Sequence, residues 1–261
     1  MKERLDILLV EKGFFSSREK AKASVMAGLV YVDGIRVDKA GNMTNAESVL
    51  HVKEPLCPYV SRGGLKLAKA IDSFQLVLEG KVAIDMGAST GGFTDCMLRN
   101  GAIKVYAMDV GYGQLDWKLR TDQRVVNMEK TNIRYIDCVS FPEKVDFISI
   151  DVSFISLRLI LPVASSLLKE NGQVVCLVKP QFEAGREQVG KGGIVRDKTI
   201  HREVIRNVMK YANEFKLYPK NLTFSPVTGA KGNIEYLMLL TKDPDITNID
   251  IDTVIGETES L

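Results

Sequence analysis

The first 55 residues combine two short amphipathic segments with a turn signal typical of a hairpin. In RLDILLVEKG the leucines recur at helical spacing and a glycine ends the run. Ser16 or Ser17 can cap a second helix in SREKAKASVMAG. LVYVDGIRV then alternates around Asp33 and Gly34, which is a strong signal for a two-residue hairpin turn. The pattern predicts a small module of two helices and a hairpin, too small for a deep pocket of its own.

Beyond KEPLCPYVSRGG, whose prolines and glycines indicate a linker, apolar runs typical of buried strands alternate with helical stretches. The predicted strands are KVAIDMG, KVYAMDVG, RVVNME, VDFISIDVSF, QVVCLVKPQ, NLTFSPV and EYLMLLT; the predicted helices are FTDCMLRNG, LRLILPVASSLLKENG and DKTIHREVIRNVMKYANEF. This alternation favours an α/β fold, a parallel sheet with helices on both faces. The predicted divisions are a small domain at 1–57, a linker at 58–64, a large domain at 65–242 and a flexible tail at 243–261.

Composition and cysteine spacing narrow the class of protein. The chain of 261 residues is 45% hydrophobic and 26% charged, which is typical of a globular protein, and its net charge of +2 neither requires nor excludes a nucleic-acid partner. The four cysteines form no CxxC pair, so neither a metal site nor a disulfide framework is predicted. Neither a signal peptide nor an apolar run of about 18 residues is found, and we expect a cytoplasmic protein without a membrane segment.

The stretch DMGASTGG joins a predicted strand to a predicted helix, an arrangement that presents backbone N–H groups to a nucleotide ligand. Ser89 stands where a dinucleotide fingerprint has its middle glycine, and the carboxylate of Asp85 would repel a pyrophosphate. S-adenosylmethionine carries an amino group and a sulfonium and no phosphate, so a methyl-donor site is favoured over a purely structural turn. The expected cofactor contacts are Asp85, Gly87, Ala88, Ser89, Thr90, Gly91, Gly92 and Phe93, with Asp109 accepting the ribose hydroxyls.

Charged residues stand beside several of the apolar runs. Asp151 and Lys179 directly follow predicted strands, Glu235 begins another, and Lys66 lies in SRGGLKLAKAI near the linker. Each has an ordinary interpretation, as a solvated helix residue, a cap, a rim charge or an ion-pair partner. Because the carboxyl ends of parallel strands form the usual site of chemistry in such sheets, the set is a candidate for catalysis.

The motifs DMGASTGGFTD, SRGGLKL, IDVSFIS, LVKPQFEAG and GNIEYL together resemble a known enzyme family. They are similar to the FtsJ-type (RrmJ-like) ribose 2′-O-methyltransferase domain of the TlyA/hemolysin A rRNA methyltransferases, and the first module resembles the S4 (alpha-L) RNA-binding domain of that family. The resemblance covers residues 1 to about 242. It implies a Rossmann-like methyltransferase sheet, S-adenosylmethionine as cofactor and the 2′-hydroxyl of a cytidine in ribosomal RNA as acceptor. It also implies a Lys-Asp-Lys-Glu tetrad on Lys66, Asp151, Lys179 and Glu235.

A ribose hydroxyl is a poor nucleophile that must lose its proton during attack, so the reaction needs a base and an in-line geometry. Our hypothesis assigns the proton transfer to Lys179, with Lys66 as a nearby cation that favours the neutral amine and orients the hydroxyl. Asp151 is expected to hold Lys179 and face the methyl group. Glu235 is expected to orient either a lysine or the ribose.

Basic residues in two segments are candidate RNA contacts. The long loop PQFEAGREQVGKGGIVRD follows Lys179 directly and is expected to contact or close over RNA, although a mobile surface loop would have the same composition. SREKAK places basic residues one helical turn apart, where they can touch phosphates or simply form a solvated face. The expected contacts with ribosomal RNA or ribosomal subunits are Arg18, Lys20, Lys22, Arg62, Arg186 and Lys191.

Three other functions compete with RNA methylation. A nicotinamide oxidoreductase would use a related sheet, but the missing middle glycine and Asp85 argue against it. A membrane-active hemolysin would need a secretion signal or a membrane-seeking segment, and the sequence shows neither. A ribosome-assembly or RNA-binding factor would share the RNA-binding module, and only the enzymatic activity distinguishes it.

Overall fold

The N-terminal unit is a small α+β module. The computed structural model describes residues 2–15, 17–53, 57–245 and 247–260, and divides the chain into two units, Met1–Pro58 and Tyr59–Leu261. The first unit contains β1 (Lys2–Arg4), α1 (Leu5–Glu11), α2 (Arg18–Met26), β2 (Val30–Val32), β3 (Ile35–Val37), β4 (Met43–Asn45) and β5 (Leu50–Val52). Strands β3, β2 and β5 form one antiparallel sheet, and β1 pairs with β4.

The hairpin turn and the helix cap predicted for this unit are both present in the structure. Asp33 and Gly34 both have positive φ, 52° and 80°, as a two-residue turn between β2 and β3 requires. The Ser17 side chain accepts a hydrogen bond from the Lys20 N–H and caps α2, whereas Ser16 lies outside the described residues. Apolar side chains of both helices and β2 are buried together, and they include Leu5, Leu9, Ala21, Val25 and Val30.

The second unit is built around a seven-stranded sheet. Its elements are α3 (Gly63–Phe74), β6 (Val82–Met86), α4 (Gly92–Arg99), β7 (Lys104–Met108), α5 (Trp117–Arg120), β8 (Val125–Met128), β9 (Val145–Ile150), α6 (Leu161–Leu167), β10 (Leu168–Val178), α7 (Pro180–Glu183), α8 (Lys198–Glu214), β11 (Tyr218–Phe224), β12 (Tyr236–Thr241) and α9 (Ile251–Glu257). The strand order is β11-β12-β10-β9-β6-β7-β8. Strands β10, β9, β6, β7 and β8 are parallel, and β12 runs antiparallel to both of its neighbours. The predicted α/β class is confirmed.

Alternate residues of the central strands face two separate hydrophobic layers, as the strand period of two demands. On β6, Ala83 packs in the layer that contains Leu67 of α3 and Met97 of α4. Its neighbour Ile84 packs in the layer that contains Val204 of α8. Because both faces of the sheet are covered, the edge at the carboxyl ends of its parallel strands is the natural place for a binding site.

Three predicted boundaries differ from the structure. Helix α6 ends at Leu167, because Leu168 is extended, buried and paired with Val145 of β9, so the predicted helix through the following glycine was too long. Helix α3 begins at Gly63, inside the predicted linker. The predicted flexible tail contains α9, whose Ile255 is buried against the core. Within the described ranges, no helix has the length and apolarity needed to cross a membrane.

Candidate active site

Four charged side chains meet at the carboxyl edge of the sheet. Asp151 and Lys179 follow β9 and β10 directly, and Glu235 precedes β12, which reaches the same edge because it runs antiparallel. Lys66 lies in the first turn of α3. The topology therefore brings the four predicted tetrad residues together from segments far apart in the sequence.

The tetrad forms a continuous chain of ionic contacts. Lys179 Nζ lies 2.5 Å from Asp151 Oδ1, and Lys66 Nζ lies 3.7 Å from Asp151 Oδ2. Lys66 Nζ also donates to Glu235 Oε2 at 2.6 Å. Lys179 and Glu235 are buried, with 6% and 3% of their surface exposed. Two cations and two anions cancel in charge, which offsets much of the cost of removing them from water.

Two polar residues that the sequence analysis missed extend this chain. Ser153 Oγ accepts a hydrogen bond from Lys179 Nζ at 3.1 Å. Gln181 Nε2 donates to Glu235 Oε1 at 3.2 Å, while its own Oε1 is buried and has no hydrogen-bond partner among the described residues. Each stands two residues after a tetrad residue, and that position at the sheet edge is the signal that could have identified them. Glu235 is thus held on both oxygens, by Lys66 and by Gln181.

The tetrad forms one wall of a cavity of about 440 Å³. The predicted cofactor turn also lines this cavity, through Gly87, Ala88, Ser89, Thr90, Gly92 and Phe93. Ser61, Arg62 and Gly63 line it at the start of α3, and Phe154 and Phe182 line it beyond the tetrad. Gly91, Asp85 and Asp109 were expected to contact the cofactor but do not line this cavity. The volume is within the range of small-molecule sites.

Close backbone packing shapes the glycine turn. Gly87 has φ 92°, and a Cβ atom there would lie 2.4 Å from the carbonyl oxygen of Asp151. A Cβ atom on Gly91, which has φ 95°, would lie 2.3 Å from a methyl group of Leu119. These glycines let the turn approach the tetrad segment and α5 more closely than any other residue would allow.

The Asp109 carboxylate supports the turn from the end of β7. Its Oδ2 accepts from the Ser89 N–H at 2.8 Å, and its Oδ1 accepts from the Gly111 N–H at 2.7 Å. Ser89 itself has a positive φ of 48°, a conformation that this hydrogen bond helps to hold. Asp109 is only partly buried, and an ionised carboxylate can accept further hydrogen bonds on the same oxygens.

Asp85 lies beneath the turn rather than facing a ligand. Its Oδ2 accepts from the Thr94 N–H at 2.9 Å and from Thr94 Oγ1 at 2.7 Å, and its Oδ1 accepts from Ser149 Oγ at 3.2 Å. The side chain is fully buried, and this burial raises the pKa of Asp85 to about 7. The expectation that its charge faces the ligand and repels a pyrophosphate therefore does not match its position; Asp85 joins the turn to α4 instead.

Asp85→Asn is expected to remove a pH dependence of stability. The unfolded chain releases this proton near the ordinary pKa of 3.8, whereas the folded protein holds it to about pH 7. Between about pH 4 and pH 7 the unfolded state therefore binds fewer protons at this residue than the folded state. The free energy of unfolding of the wild type falls by about 3 kcal/mol over this range as the pH rises. Urea unfolding measures the free energy of unfolding at pH 5 and at pH 8. The free energy of unfolding of Asp85→Asn should rise relative to that of the wild type between pH 5 and pH 8. Equal pH dependence of wild type, Asp85→Asn and the exposed control Asp72→Asn would contradict this.

Two family profiles match the chain, one within each of its two units. The FtsJ-like methyltransferase profile matches residues 59–242, and the S4 domain profile matches residues 3–43. Hemolysin A of Brachyspira hyodysenteriae is 44% identical over 239 residues, which cover 90% of this chain and 98% of that protein. The protein named 16S/23S rRNA (cytidine-2′-O)-methyltransferase TlyA of Mycobacterium tuberculosis is 39% identical over 243 residues, covering 93% of this chain and 91% of that protein.

A solved structure supports the same relationship. A protein from Streptococcus thermophilus described as a candidate hemolysin has a TM-score of 0.78 and 49% sequence identity, and the alignment covers 99% of this chain and 96% of that one. The family resemblance seen in the motifs is confirmed by these matches. This chain therefore belongs to the TlyA/hemolysin A family of FtsJ-like methyltransferases, and it carries an S4 domain in its N-terminal unit.

Proposed function

We propose that this protein transfers a methyl group from S-adenosylmethionine to the 2′-hydroxyl of a cytidine in ribosomal RNA, in the cytoplasm. The observation that carries the proposal is one cavity lined both by the glycine turn and by the Lys66, Asp151, Lys179 and Glu235 tetrad. The family membership supports the reaction class, and the name of the Mycobacterium tuberculosis relative supports cytidine in rRNA as the acceptor.

The lining of the cavity fits a methyl donor that has a carboxylate at one end. The starts of α3 and α4 both border the cavity, where the positive ends of the helix dipoles favour an anion. Arg62 adds a guanidinium at the same place, so we assign it to this carboxylate or to an RNA phosphate. Asp109, at the end of β7, is assigned to the ribose hydroxyls. When bound, the donor supplies an electrophilic methyl group on a sulfonium.

In this proposal Lys179 takes the proton from the attacking hydroxyl. The ammonium that results is neutralised by Asp151 and donates to Ser153, two contacts that are already in place. Lys66 shares Asp151 with Lys179, so one carboxylate holds both amines at the edge of the cavity. Glu235 and Gln181 act on Lys66, which they hold at the edge of the cavity.

A groove beside the catalytic cavity is suited to RNA. It has a volume of about 740 Å³, shares Phe154, Gln181 and Phe182 with the cavity, and is also lined by Arg134 and Arg186. Phe154 is 90% exposed, which is unusual for a phenylalanine and leaves its ring free to stack on an unpaired base. The two arginines can bind phosphates of the same strand. We assign the nucleotides around the target, with Lys191 of the adjoining loop, to this groove.

The S4 unit presents a preorganised pair of arginines. The buried Asp6 accepts from Arg4 at 3.0 and 3.1 Å and from Arg18 at 3.1 Å, while both arginine side chains remain about half exposed. These contacts lower the pKa of Asp6 to about 2, with the Arg4 hydrogen bonds as the largest cause. One carboxylate and two guanidiniums leave a net positive charge, which supports phosphate binding by Arg18, with Lys20 and Lys22 on the same helix.

The experiment that tests the proposal is transfer of labelled methyl groups from S-adenosylmethionine to unmodified ribosomal subunits and to naked rRNA. Digestion to nucleosides should place the label in 2′-O-methylcytidine. Label on a base, or in another nucleoside, would overturn the proposed acceptor. Tight binding to subunits without any transfer would instead support an assembly factor, and leakage of liposomes by the protein would support a hemolysin.

A further inference from the structure

Two segments at the edge of the sheet run side by side from the tetrad toward the RNA groove. One follows β9 and spans residues 151–157; the other is Lys179 followed by α7. Each begins with a tetrad residue and continues to an aromatic residue, Phe154 or Phe182, whose ring centroids are 4.9 Å apart. The near ends are tied by the contacts of Lys179 with Asp151 and Ser153.

The segment after β9 contains an energetically unfavourable conformation. Phe154 has φ 61°, in the left-handed region that is unfavourable for a residue with a side chain. Phe154 as a whole is 90% exposed, so burial of its side chain does not offset this cost. A segment with such a residue at its centre keeps one conformation only when contacts on both sides of that residue fix it.

The far ends of the two segments are tied by a residue to which neither the sequence analysis nor the proposed reaction assigns a role. Glu183, the last residue of α7, accepts from the Leu157 N–H through Oε1 at 2.7 Å and from Ser156 Oγ through Oε2 at 2.7 Å. Ser156 Oγ in turn accepts from the Arg158 N–H at 3.2 Å. Both carboxylate oxygens are therefore engaged with the segment that carries Asp151 and Phe154.

We infer that Glu183 is a positioning residue, which closes the two segments into a ring and so fixes Asp151, Lys179 and Phe154 relative to one another. The inference rests on the proposed methyl transfer, because it is the reaction of the Asp151–Lys179 pair that the ring would align. Glu183 is not a catalytic residue, since its carboxylate is occupied by Leu157 and Ser156 and does not line the catalytic cavity. Its loss should let the 151–157 segment relax and misplace the pair.

The test compares Glu183→Ala, Glu183→Gln, Ser156→Ala and the double variant Glu183→Gln/Ser156→Ala with the wild type. Glu183→Ala is expected to lower kcat about 30-fold, because misplacement by about 1 Å is enough to cost up to about 100-fold. Glu183→Gln keeps one acceptor for Leu157 and should lower kcat less, by about 5-fold. The double variant should be no worse than the stronger of its single variants, since both remove the same contact. Affinity for S-adenosylmethionine should stay within about twofold.

Two controls separate alignment from general destabilisation and from failure of the proposed function. Glu170→Gln, an exposed carboxylate near the start of β10 and so at the opposite end of that strand from Lys179, should leave kcat unchanged. Hydrogen exchange of the 151–157 amides should accelerate in Glu183→Ala whether or not the protein methylates the RNA tested. Unchanged exchange there would overturn the ring, and unchanged kcat in an active enzyme would overturn the positioning role. If the wild type transfers no methyl group, both the proposed function and the positioning role are refuted. The hydrogen-exchange data would then still test whether Glu183 holds the 151–157 segment in place.

Discussion

Lys179→Met is expected to lower methyl transfer about 1,000-fold, a loss within the range that positioned bases supply. Methionine fills a similar volume but cannot take the proton of the attacking hydroxyl. It also leaves Asp151 without the ammonium that lies 2.5 Å from it in the wild type. Single-turnover transfer to RNA measures the effect, and a separate titration should show that S-adenosylmethionine still binds within a few fold. Lys169→Met, on the same strand but exposed, is the matched control and should behave as the wild type.

Lys179→Arg separates the proton-transfer role from the electrostatic role. Arginine keeps the positive charge beside Asp151 but does not lose its proton in proteins, so it cannot act as a base. If Lys179 takes the proton, Lys179→Arg should be nearly as inactive as Lys179→Met. Full activity of Lys179→Arg would mean that another group or water accepts the proton, and that residue 179 serves only to hold Asp151.

The pattern of the sequence identifies Asp151 and Lys179 as site candidates, and the family resemblance groups them with Lys66 and Glu235 into a tetrad. Asp151 and Lys179 follow runs that a buried strand requires, so their polarity is conspicuous and the topology of a parallel sheet brings them together. Ser153 lies in an irregular segment, and Gln181 and Glu183 lie in the four-residue helix α7. Both segments are too short for an apolar periodicity that would make a polar residue conspicuous. Their roles depend on which side chain each one meets, and that is decided by tertiary packing.

For Asp85, the sequence pattern predicts the position of the residue at the end of a strand but not the direction in which its side chain points. The sequence places a carboxylate at the end of β6, and the structure confirms that place. A residue at the end of a strand can face the ligand or turn under the following helix, and Thr94 and Ser149 supply the hydrogen bonds that hold it beneath the turn. Its burial follows from those partners, which lie 9 and 64 residues away along the chain.

The boundaries that the sequence misplaced share a physical cause. Leu168 continues the apolar pattern of α6, so a helical period extends across it, yet pairing with Val145 makes it the first residue of β10. The C-terminal segment 243–261 is rich in Asp and Thr, a composition that predicts a solvent-exposed, flexible segment. Ile251, Val254 and Ile255 nevertheless fall on one helical face and pack against the core. Local composition and period therefore indicate the element, whereas its ends depend on long-range pairing and burial.

Gly87→Ala is expected to weaken S-adenosylmethionine binding about 100-fold, because the turn that forms one cavity wall must move. The added Cβ would lie 2.4 Å from the Asp151 carbonyl oxygen, and this neighbour is backbone, which cannot rotate away as a side chain can. Relief of the clash must displace either the turn or Asp151, so both donor affinity and kcat should fall. Isothermal titration with S-adenosylmethionine and single-turnover transfer measure the two effects.

Gly80→Ala is the control that separates crowding from backbone strain. Gly80 also has a positive φ, 70°, but an added Cβ would meet nothing within 4 Å. It should therefore lose about 1 kcal/mol of stability to the left-handed conformation and keep the donor affinity of the wild type. If both variants bind the donor equally well, the close approach of the turn to Asp151 is not what shapes the cofactor site. If only Gly87→Ala loses affinity for the donor, the close contact between the glycine turn and the backbone of Asp151 connects the cofactor-binding part of the cavity to its catalytic part.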